Sequence, residues 1–563
     1  MRVLTLLLLL LSLPASAAER WYVFSMGGVP VGYVVEETDG AKTRTEVFSR
    51  LTRLGKSLEL RFETTTVEAA DGALQSLTFT SVMSKQPTTL TARVDGDRIV
   101  ITSGAHERVL DRGAAPLLGP RAVARLSAEK LRAAGDAIEY AIFSPELQRV
   151  ATVKRSVAGA EAACDGTRAM KVVETIEGVP TSRTYWMDAS GVAINDEAPG
   201  PFGAMRSCRA TREAALAANG TLPADLYERT VAHSNVRFAD PFAIDRVVVR
   251  VTRRDVTPLP SLVTHNQKSV QRSDDSATIE VRRNGGQAVL PVPGEYVKPN
   301  ALVESNNPDI VKLARELTRA TPHETAQELT RWVAENMTMD AGIVLAPASE
   351  LIRDRRATCM GYATLLTSLA RAAGLPSRIA MGYVYYGGIW GGHAWTEVIL
   401  DDRWVPLDAA VYTPGTASAA RLAAGTSSFA DGGGELNALL TPLFGQIDIA
   451  VLEYDERGRT TRVAADAKPF AVANNAYVNP GLGLRIAENG WTPERAESTW
   501  PSTLVVAFRR GENVVELHHR PSNPDKPLKR DGEAMFVDAK GGMLWVWSAR
   551  GPDAAAALRE FLR

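Results

Sequence analysis

Residues 357–408 constrain the fold and the chemistry of this chain more than any other segment. Cys359 opens an apolar helical pattern, and Gly374 stands where the C-terminal cap of that helix belongs. Three strand patterns follow, with glycines after the first strand and two aspartates after the second. His393 begins the second strand and Asp408 ends the third. Because these two strands are expected to be antiparallel neighbours, His393 and Asp408 are predicted to lie at the same end of a sheet.

A thiol, an imidazole and a carboxylate brought together in this way can form a nucleophilic site. The first turn of a helix favours a thiolate and offers backbone N–H groups to an oxyanion. A thiol nucleophile also needs a base, and that base needs a group that orients it. Taken one by one, a buried cysteine, a core histidine and a hairpin-end aspartate are the ordinary alternatives. The coincidence of all three in one segment favours the site.

The glycine-rich connection at residues 387–392 is predicted to be a mobile link between two strands. It is either a lid or substrate rim, or only a loose hairpin end, and the pattern leaves both interpretations open. Trp395 and Trp404 flank the predicted site in the neighbouring strands. We expect both indole rings to pack in the sheet rather than to take part in chemistry.

The segment resembles the transglutaminase-like superfamily, whose catalytic domains carry a papain-like Cys-His-Asp triad. The resemblance covers about residues 305–412 and depends on a combination of motifs: Cys359 at a helix start, the stretch ARAAGLPSR from Ala370 to Arg378, His393-Ala394-Trp395 followed by Glu397-Val398, and Trp404 four residues before Asp408. It implies a papain-like α+β fold with Cys359 as the nucleophile, His393 as the general base and acid, and Asp408 as the residue that orients the imidazole.

The N-terminus has the pattern of a secretory signal over residues 1–18. Arg2 supplies the charged start, and residues 15–17 (Ala-Ser-Ala) fit a cleavage site. The apolar run at residues 3–13 is shorter than the roughly 20 residues that span a bilayer. We therefore predict an exported protein, periplasmic or extracellular, with no stable membrane insertion after signal cleavage. The alternative is an uncleaved anchor.

The chain has three cysteines, Cys164, Cys208 and Cys359. In an oxidising compartment two of them tend to pair. Cys164 and Cys208 lie in the same N-terminal region, so we predict a disulfide between them, which would stabilise the fold by roughly 4 kcal/mol on the chain-entropy estimate. Cys359 would then keep its thiol. The alternative is that all three cysteines are reduced and buried.

The 563 residues are enough for three or four domains. Alternating strand patterns mark the N-terminal part, where Asp95-Gly96 predicts a hairpin. Helical patterns begin near residue 305, and residues 321–324 (Thr-Pro-His-Glu) predict a capping box. Short strands return after residue 474, followed by a terminal amphipathic helix at 554–562. We predict an α+β multidomain protein with an antiparallel β-rich N-terminal domain at 19–215, a small β-unit or linker at 230–300, a transglutaminase-like catalytic domain at 301–465 and a small α+β domain at 470–563. Within these bounds, residues 209–230 are predicted to be a linker and residues 420–433 a flexible loop.

Charge and motif content exclude several other classes of protein. The net charge is −1 and charged residues make up 23%, a balance that gives no basis for a nucleic-acid or anionic-membrane partner. The chain has no phosphate-loop motif and no dinucleotide fingerprint. His518 and His519 would point to opposite faces of a strand, so they do not predict a zinc site. No cofactor and no metal are predicted.

The predicted function is acyl transfer through a thioester on the cysteine, with a protein or peptide as substrate. Hydrolysis of a peptide or amide bond is favoured over calcium-dependent crosslinking, because the chain has no EF-hand loop. Crosslinking by a transglutaminase remains one alternative. The other is a non-catalytic binding or scaffold protein of the cell envelope with a vestigial triad.

Overall fold

The computed structural model of the chain describes most of its residues. The predicted signal segment lies outside the described residues, apart from Ala18, where the first strand begins. Among the residues described, no helix is both long and apolar enough to cross a bilayer. The described ranges are 18–53, 56–200, 203–218, 229–255, 257–286, 288–434, 436, 440–441, 443–494, 503–521, 534–540 and 543–562.

One large antiparallel sheet forms the N-terminal part of the chain, as the alternating pattern predicts. Its fourteen strands are β1 Ala18–Met26, β2 Val29–Asp39, β3 Lys42–Arg53, β4 Lys56–Glu68, β5 Leu74–Val82, β6 Thr88–Asp95, β7 Arg98–Ser103, β8 His106–Asp111, β9 Ala137–Ser144, β10 Arg149–Ala162, β11 Arg168–Ile176, β12 Arg183–Met187, β13 Ala193–Gly200 and β14 Gly203–Ala210. β1 pairs with both β2 and β14, so the order runs from β8 to β1 and then from β14 back to β9.

Two short helices and a disulfide complete this part. Helix α1, Pro120–Lys130, begins with proline in its first turn, and helix α2, Arg212–Ala217, follows β14. The linker predicted at 209–230 is therefore wrong at its start; residues 219–228 lie outside the described ranges. The predicted disulfide between Cys164 and Cys208 is confirmed, with the two Cα atoms 6.1 Å apart.

Two five-stranded sheets form the middle of the chain. Their strands, with one small parallel pair between β19 and β20, are β15 Ala232–His233, β16 Ile244–Arg253, β17 Gln267–Arg272, β18 Ser276–Arg282, β19 Thr338–Met339, β20 Arg356–Ala357, β21 Ser377–Tyr386, β22 Ile389–Leu400, β23 Arg403–Leu407, β24 Arg421–Ser427, β25 Ile447–Glu456 and β26 Arg459–Arg462. One sheet has the order β17-β18-β16-β25-β26; the other has the order β15-β22-β21-β24, with β23 on β22. Strand β16, which belongs to the predicted 230–300 unit, thus pairs with β25, which follows the candidate site in the sequence.

Four helices lie between β18 and β21 in the sequence, with the short strands β19 and β20 among them. They are α3 Pro308–Leu317, α4 Pro322–Asn336, α5 Ala348–Asp354 and α6 Cys359–Ala372. The predicted capping box of α4 is confirmed, because the Glu324 N–H donates to the Thr321 hydroxyl at 3.2 Å and the Thr321 N–H donates to the Glu324 carboxylate at 3.0 Å. Helix α6 is almost wholly buried and contacts α3, α4, α5 and β22. Packing on several sides therefore fixes the position of this helix.

The C-terminal part contains the short strands and terminal helix that its sequence predicts. They are β27 Ala471–Ala473, β28 Ala476–Asn479, β29 Leu484–Ala487, β30 Thr492–Glu494, β31 Leu504–Arg510, β32 Asn513–Pro521, β33 Ala534–Lys540, β34 Met543–Arg550 and helix α7 Ala554–Phe561. Strands β30 to β34 form one five-stranded sheet, and helix α7 packs on it and buries Leu558 and Phe561. The ring centroids of Phe561 and Phe508 are 4.7 Å apart. Strands outnumber helices among the described residues, so the chain is richer in β structure than the predicted α+β mixture implies.

Candidate active site

Cys359 is the first residue of α6, as its sequence pattern predicts. The residue before it, Thr358, is held by the segment that precedes α5: its N–H donates to the Ile343 carbonyl at 3.1 Å, and its hydroxyl donates to the Val344 carbonyl at 3.3 Å. Cys359 is half-buried and is not part of a disulfide. Its thiol therefore lies at the N-terminal end of a buried helix, where the helix dipole favours a thiolate.

His393 lies inside a strand rather than at its start. The turn after β21 consists only of Gly387 and Gly388, whose φ angles of 60° and 99° suit a tight hairpin. Strand β22 then begins at Ile389, and Trp390 is fully buried. The expected mobile connection over 387–392 is therefore wrong: most of it is strand, and the part that turns is a short hairpin end rather than a lid.

The structure brings the predicted histidine and aspartate into direct contact. Nε2 of His393 lies 2.8 Å from Oδ2 of Asp408, and the two side chains are only 5% and 2% exposed. The Cys359 side chain also interacts with His393 and raises the pKa of its imidazole. Because Nε2 faces the carboxylate, Nδ1 is the ring nitrogen that remains for the thiol. One buried imidazole thus joins the thiol to the carboxylate.

Arg421 is a further member of this group that the sequence did not predict. Its guanidinium donates to Oδ2 of Asp408 at 2.6 Å, the same oxygen that faces His393, and its side chain is 5% exposed. The other carboxylate oxygen accepts from the backbone N–H groups of Ala410 at 3.0 Å and Val411 at 2.9 Å. Four donors therefore fix the position of the Asp408 carboxylate.

Arg421 was not predicted as a site residue because residues 420–433 have the composition of a flexible loop. The chain instead forms β24, which pairs with β21 through small buried residues such as Ala423 and Ala424. Small side chains on both faces give no alternation between apolar and polar residues, so the usual strand pattern is absent. The signal available was an arginine at the start of a run of small apolar residues, a place where a buried charge needs a carboxylate partner.

Burial and charge shift the pKa values of the His393 and Asp408 pair in opposite senses. Burial alone would lower the pKa of His393, but the Asp408 carboxylate and the Cys359 thiol raise it to about 9. Burial alone would raise the pKa of Asp408, but the charges of His393 and Arg421 hold it well below its usual range. An imidazolium beside a carboxylate is therefore the favoured state near neutral pH.

Two glycines allow close packing next to these groups. A Cβ atom on Gly392, the neighbour of His393, would lie 2.8 Å from the ring of Phe444. A Cβ atom on Gly361 in α6 would lie 2.2 Å from the Cβ of Ala357. Phe444 is partly buried and packs on the same large apolar cluster as Cys359.

A second buried ion pair holds the strands around the site together. Nε of Arg378 in β21 donates to Glu397 of β22 at 2.8 Å, and the Arg378 guanidinium lies 4.0 Å from the ring centroid of Trp404 in β23. Trp395 and Trp404 are 3% and 5% exposed, which confirms the expectation that both pack in the sheet. Within the described ranges no group of three or more His, Cys, Asp and Glu residues could hold a metal ion.

Comparisons with known proteins identify one part of the chain. Residues 311–409 match the model of the transglutaminase-like superfamily, a range that includes Cys359, His393 and Asp408 but ends before Arg421. No curated protein matches the chain in sequence.

Several solved structures are similar to parts of the chain. A "putative cysteine protease" from Cytophaga hutchinsonii is 15% identical over 40% of this chain and 91% of its own, with a TM-score of 0.25. A protein of a domain family of unknown function from Brucella abortus is 14% identical over 35% and 96%, with a TM-score of 0.28. The periplasmic domain of TgpA from Pseudomonas aeruginosa is 15% identical over 34% and 84%, with a TM-score of 0.24. At these scores none of the three carries an argument about function.

Proposed function

Since residues 311–409 belong to the transglutaminase-like superfamily, we propose that this protein is an exported thiol enzyme that hydrolyses a peptide or amide bond through Cys359. One observation carries the proposal: a buried imidazole, His393, contacts both the Cys359 thiol and the Asp408 carboxylate. Export is supported by the apolar run at residues 3–13 and by the Cys164–Cys208 disulfide, a bond typical of oxidising compartments.

In the first half of the proposed reaction the Cys359 thiolate attacks the carbonyl carbon of the substrate, and a carbon–sulfur bond forms. The backbone N–H groups in the first turn of α6 stabilise the negative oxygen of the tetrahedral intermediate. The carbon–nitrogen bond then breaks, and the His393 imidazolium gives its proton to the leaving amine. Asp408 keeps the ring oriented and stabilises its positive charge.

In the second half, water attacks the thioester. His393, now neutral, takes the proton of that water, the carbon–sulfur bond breaks, and the Cys359 thiolate and the imidazolium are restored. If an amine attacks instead of water, the same groups catalyse transamidation. Hydrolysis and crosslinking therefore differ only in the acceptor that reaches the thioester.

Labelling with an electrophile tests this proposal without knowledge of the substrate. We expect an alkyne-tagged iodoacetamide at pH 6 to label Cys359 at least ten times faster than it labels glutathione, because an ordinary thiol with a pKa near 8.5 is almost fully protonated there. Mass mapping of the labelled peptide identifies the site. Cys359→Ala is expected to remove the label, and a rate no faster than glutathione would rule out an activated thiol.

The acceptor is tested with a peptide library and a fluorescent primary amine in water enriched in heavy oxygen. Hydrolysis places the heavy oxygen in the product acid, whereas transamidation places the fluorescent amine in the product amide. We expect heavy oxygen in the products of the wild type and none with Cys359→Ala. Amine incorporation in its place would assign the protein to the crosslinking class.

The elevated pKa of His393 predicts how activity depends on pH. We expect kcat/KM to fall about tenfold per pH unit above pH 9, because His393 then lacks the proton for the leaving amine. Alkylation by iodoacetamide should not fall in that range, since the thiolate persists. If alkylation and turnover were lost together above pH 9, His393 would not be the proton donor to the leaving amine.

The same pKa predicts how stability depends on pH. The folded-state pKa of His393 lies above the ordinary value of 6.5, so the contribution of the ion pair to the free energy of unfolding is full below pH 6.5 and is lost as the pH rises through about 9.

A further inference from the structure

The N-terminal sheet encloses a hollow that the proposed reaction does not use. Its volume is about 1200 Å³, larger than the roughly 300–1,000 Å³ of ordinary ligand pockets. Alternate residues along several strands line it, as expected for the concave face of a curved sheet. On β4 and β5 these residues are Phe62, Thr64, Thr66, Leu77, Phe79 and Ser81.

The hollow exists because small side chains occupy much of the concave face. Helix α1 fills one side with Val123 and Ala124. Another part of the lining consists of small hydroxyl residues, Thr38, Thr43, Thr45, Thr64, Thr66, Ser81 and Thr88. The space thus results from the choice of residues along five strands.

Three arginines that line this hollow are paired with carboxylates of the protein itself. Arg20 is paired with Glu36, Nε of Arg155 lies 2.7 Å from Glu174, and Arg183 lies 2.8 Å from an aspartate on β13. The hydroxyls of Tyr140 and Tyr185 also donate to Glu174. Since these three arginines already have carboxylate partners, none of them needs a charged ligand.

The remaining surface suits an apolar chain better than a peptide. The rings of Phe62 and Phe79 are stacked with centroids 6.3 Å apart, and both side chains are only partly buried, so they offer apolar area to an occupant. The strand backbones around them pair with one another in the sheet. An extended peptide would bury amide groups there without partners, which is costly, whereas an aliphatic chain has none to satisfy.

The hollow reaches the segment that holds the start of α6. Leu302, Leu345 and Phe429 form part of its wall, and the Val344 N–H donates to the Met83 carbonyl at 2.9 Å. The Val344 carbonyl in turn accepts from Thr358, the residue before the proposed nucleophile. An occupant would therefore lie against the same segment that anchors the candidate active site.

We propose that this hollow is a binding site for a straight acyl chain, either of a free fatty acid or of a monoacyl phospholipid. The lining indicates the class of ligand: it has aromatic and aliphatic side chains and uncharged hydroxyls, and Arg20, Arg155 and Arg183 already have carboxylate partners. The site goes beyond the proposed acyl transfer and does not depend on it, so Cys359→Ala is expected to bind the chain as the wild type does.

Displacement of a dansyl-labelled undecanoic acid from the full chain tests this site. We expect saturable binding, with affinity that rises about fourfold for each methylene added between decanoic and tetradecanoic acid, the factor expected for burial of a methylene. The monoacyl phospholipid of the same chain length forms a second arm of the experiment. Competition by either source supports the site, and the arm that binds more tightly identifies the source.

Two adjacent substitutions provide a matched pair for the same measurement. Thr64→Trp places a large ring in the hollow and is expected to weaken binding at least tenfold, while Thr65→Trp on the opposite face of β4 is expected to change it less than twofold. Thermal unfolding of both variants checks that the sheet remains folded. If Thr64→Trp does not fold, Ser81→Phe fills the same space from β5 and serves in its place.

Three results would overturn the proposal: no saturable binding by the wild type, affinity independent of chain length, or equal binding by the two tryptophan variants. Displacement of the dansyl probe by uncharged apolar peptides but not by fatty acids would assign the hollow to a peptide instead. Since these measurements do not involve the thiol, their failure leaves the labelling test of Cys359 unaffected.

Discussion

Asp408→Asn is expected to slow turnover by about four orders of magnitude, the effect of the corresponding change in a serine protease triad. One oxygen of Asp408 accepts from both His393 and Arg421, and the amide of asparagine lacks the negative charge that both cations require. Without that charge the pKa of His393 loses the main influence that raises it. The ring is then neutral at pH 7 and no longer stabilises a thiolate at Cys359.

Alkylation of Cys359 measures this effect without a substrate. At pH 6 we expect the second-order rate constant for Asp408→Asn to fall about a hundredfold, because the thiol returns toward an ordinary pKa near 8.5. Asp402→Asn is the matched control: Asp402 is an exposed turn residue with a φ of 61°, a conformation that asparagine accepts. Equal alkylation of Asp408→Asn and wild type would show that Asp408 does not support His393.

Arg421→Met is expected to destabilise the sheet around the candidate site by roughly 3–5 kcal/mol, the usual cost of removing one partner of a buried ion pair. The guanidinium is 5% exposed and donates to Asp408 as well as to the backbone and hydroxyl of Ser418. Methionine fills similar space but leaves the Asp408 carboxylate with one cation where it had two. The loss is electrostatic more than steric.

Hydrogen exchange is the appropriate measurement, because a chain with several sheets need not unfold in one step. For Arg421→Met we expect amides of β21, β22 and β24 to exchange about two to four orders of magnitude faster, while those of the N-terminal sheet keep their rates. Arg403→Met, at an exposed position of β23, should stay within about 0.5 kcal/mol of the wild type. Unchanged exchange in Arg421→Met would mean that the ion pair adds nothing to stability.

Local patterns predicted much of the fold. The start of α6 at Cys359, the capping box at Thr321 and the hairpin between β6 and β7 each depend on neighbouring residues, and the structure agrees with all three. The proximity of His393 and Asp408 also followed from strand order, although His393 lies well inside β22. Antiparallel neighbours joined by a tight turn keep residues that are near in sequence close in space, so this proximity is predictable.

The parts that were missed depend on contacts between distant residues. Arg421 belongs to the site only because β24 pairs with β21, and small residues such as Ala423 hide that strand. Phe444 packs against Gly392 although the two residues are far apart in the chain. The sequences of β16 and β25 do not by themselves indicate that these two strands pair, because either strand could pair equally well with another strand of the same pattern.

That pairing of β16 with β25 governs the order in which this part of the chain can fold. The Asn235 side chain donates to the backbone of Val451, 216 residues later. Closing so long a loop costs entropy before any contact compensates for it, which makes such pairings slow. The apolar cluster against which Cys359 packs includes Val451 and Ile449 of β25. A growing chain therefore contains its thiol, imidazole and carboxylate well before it contains the strand that completes their surroundings.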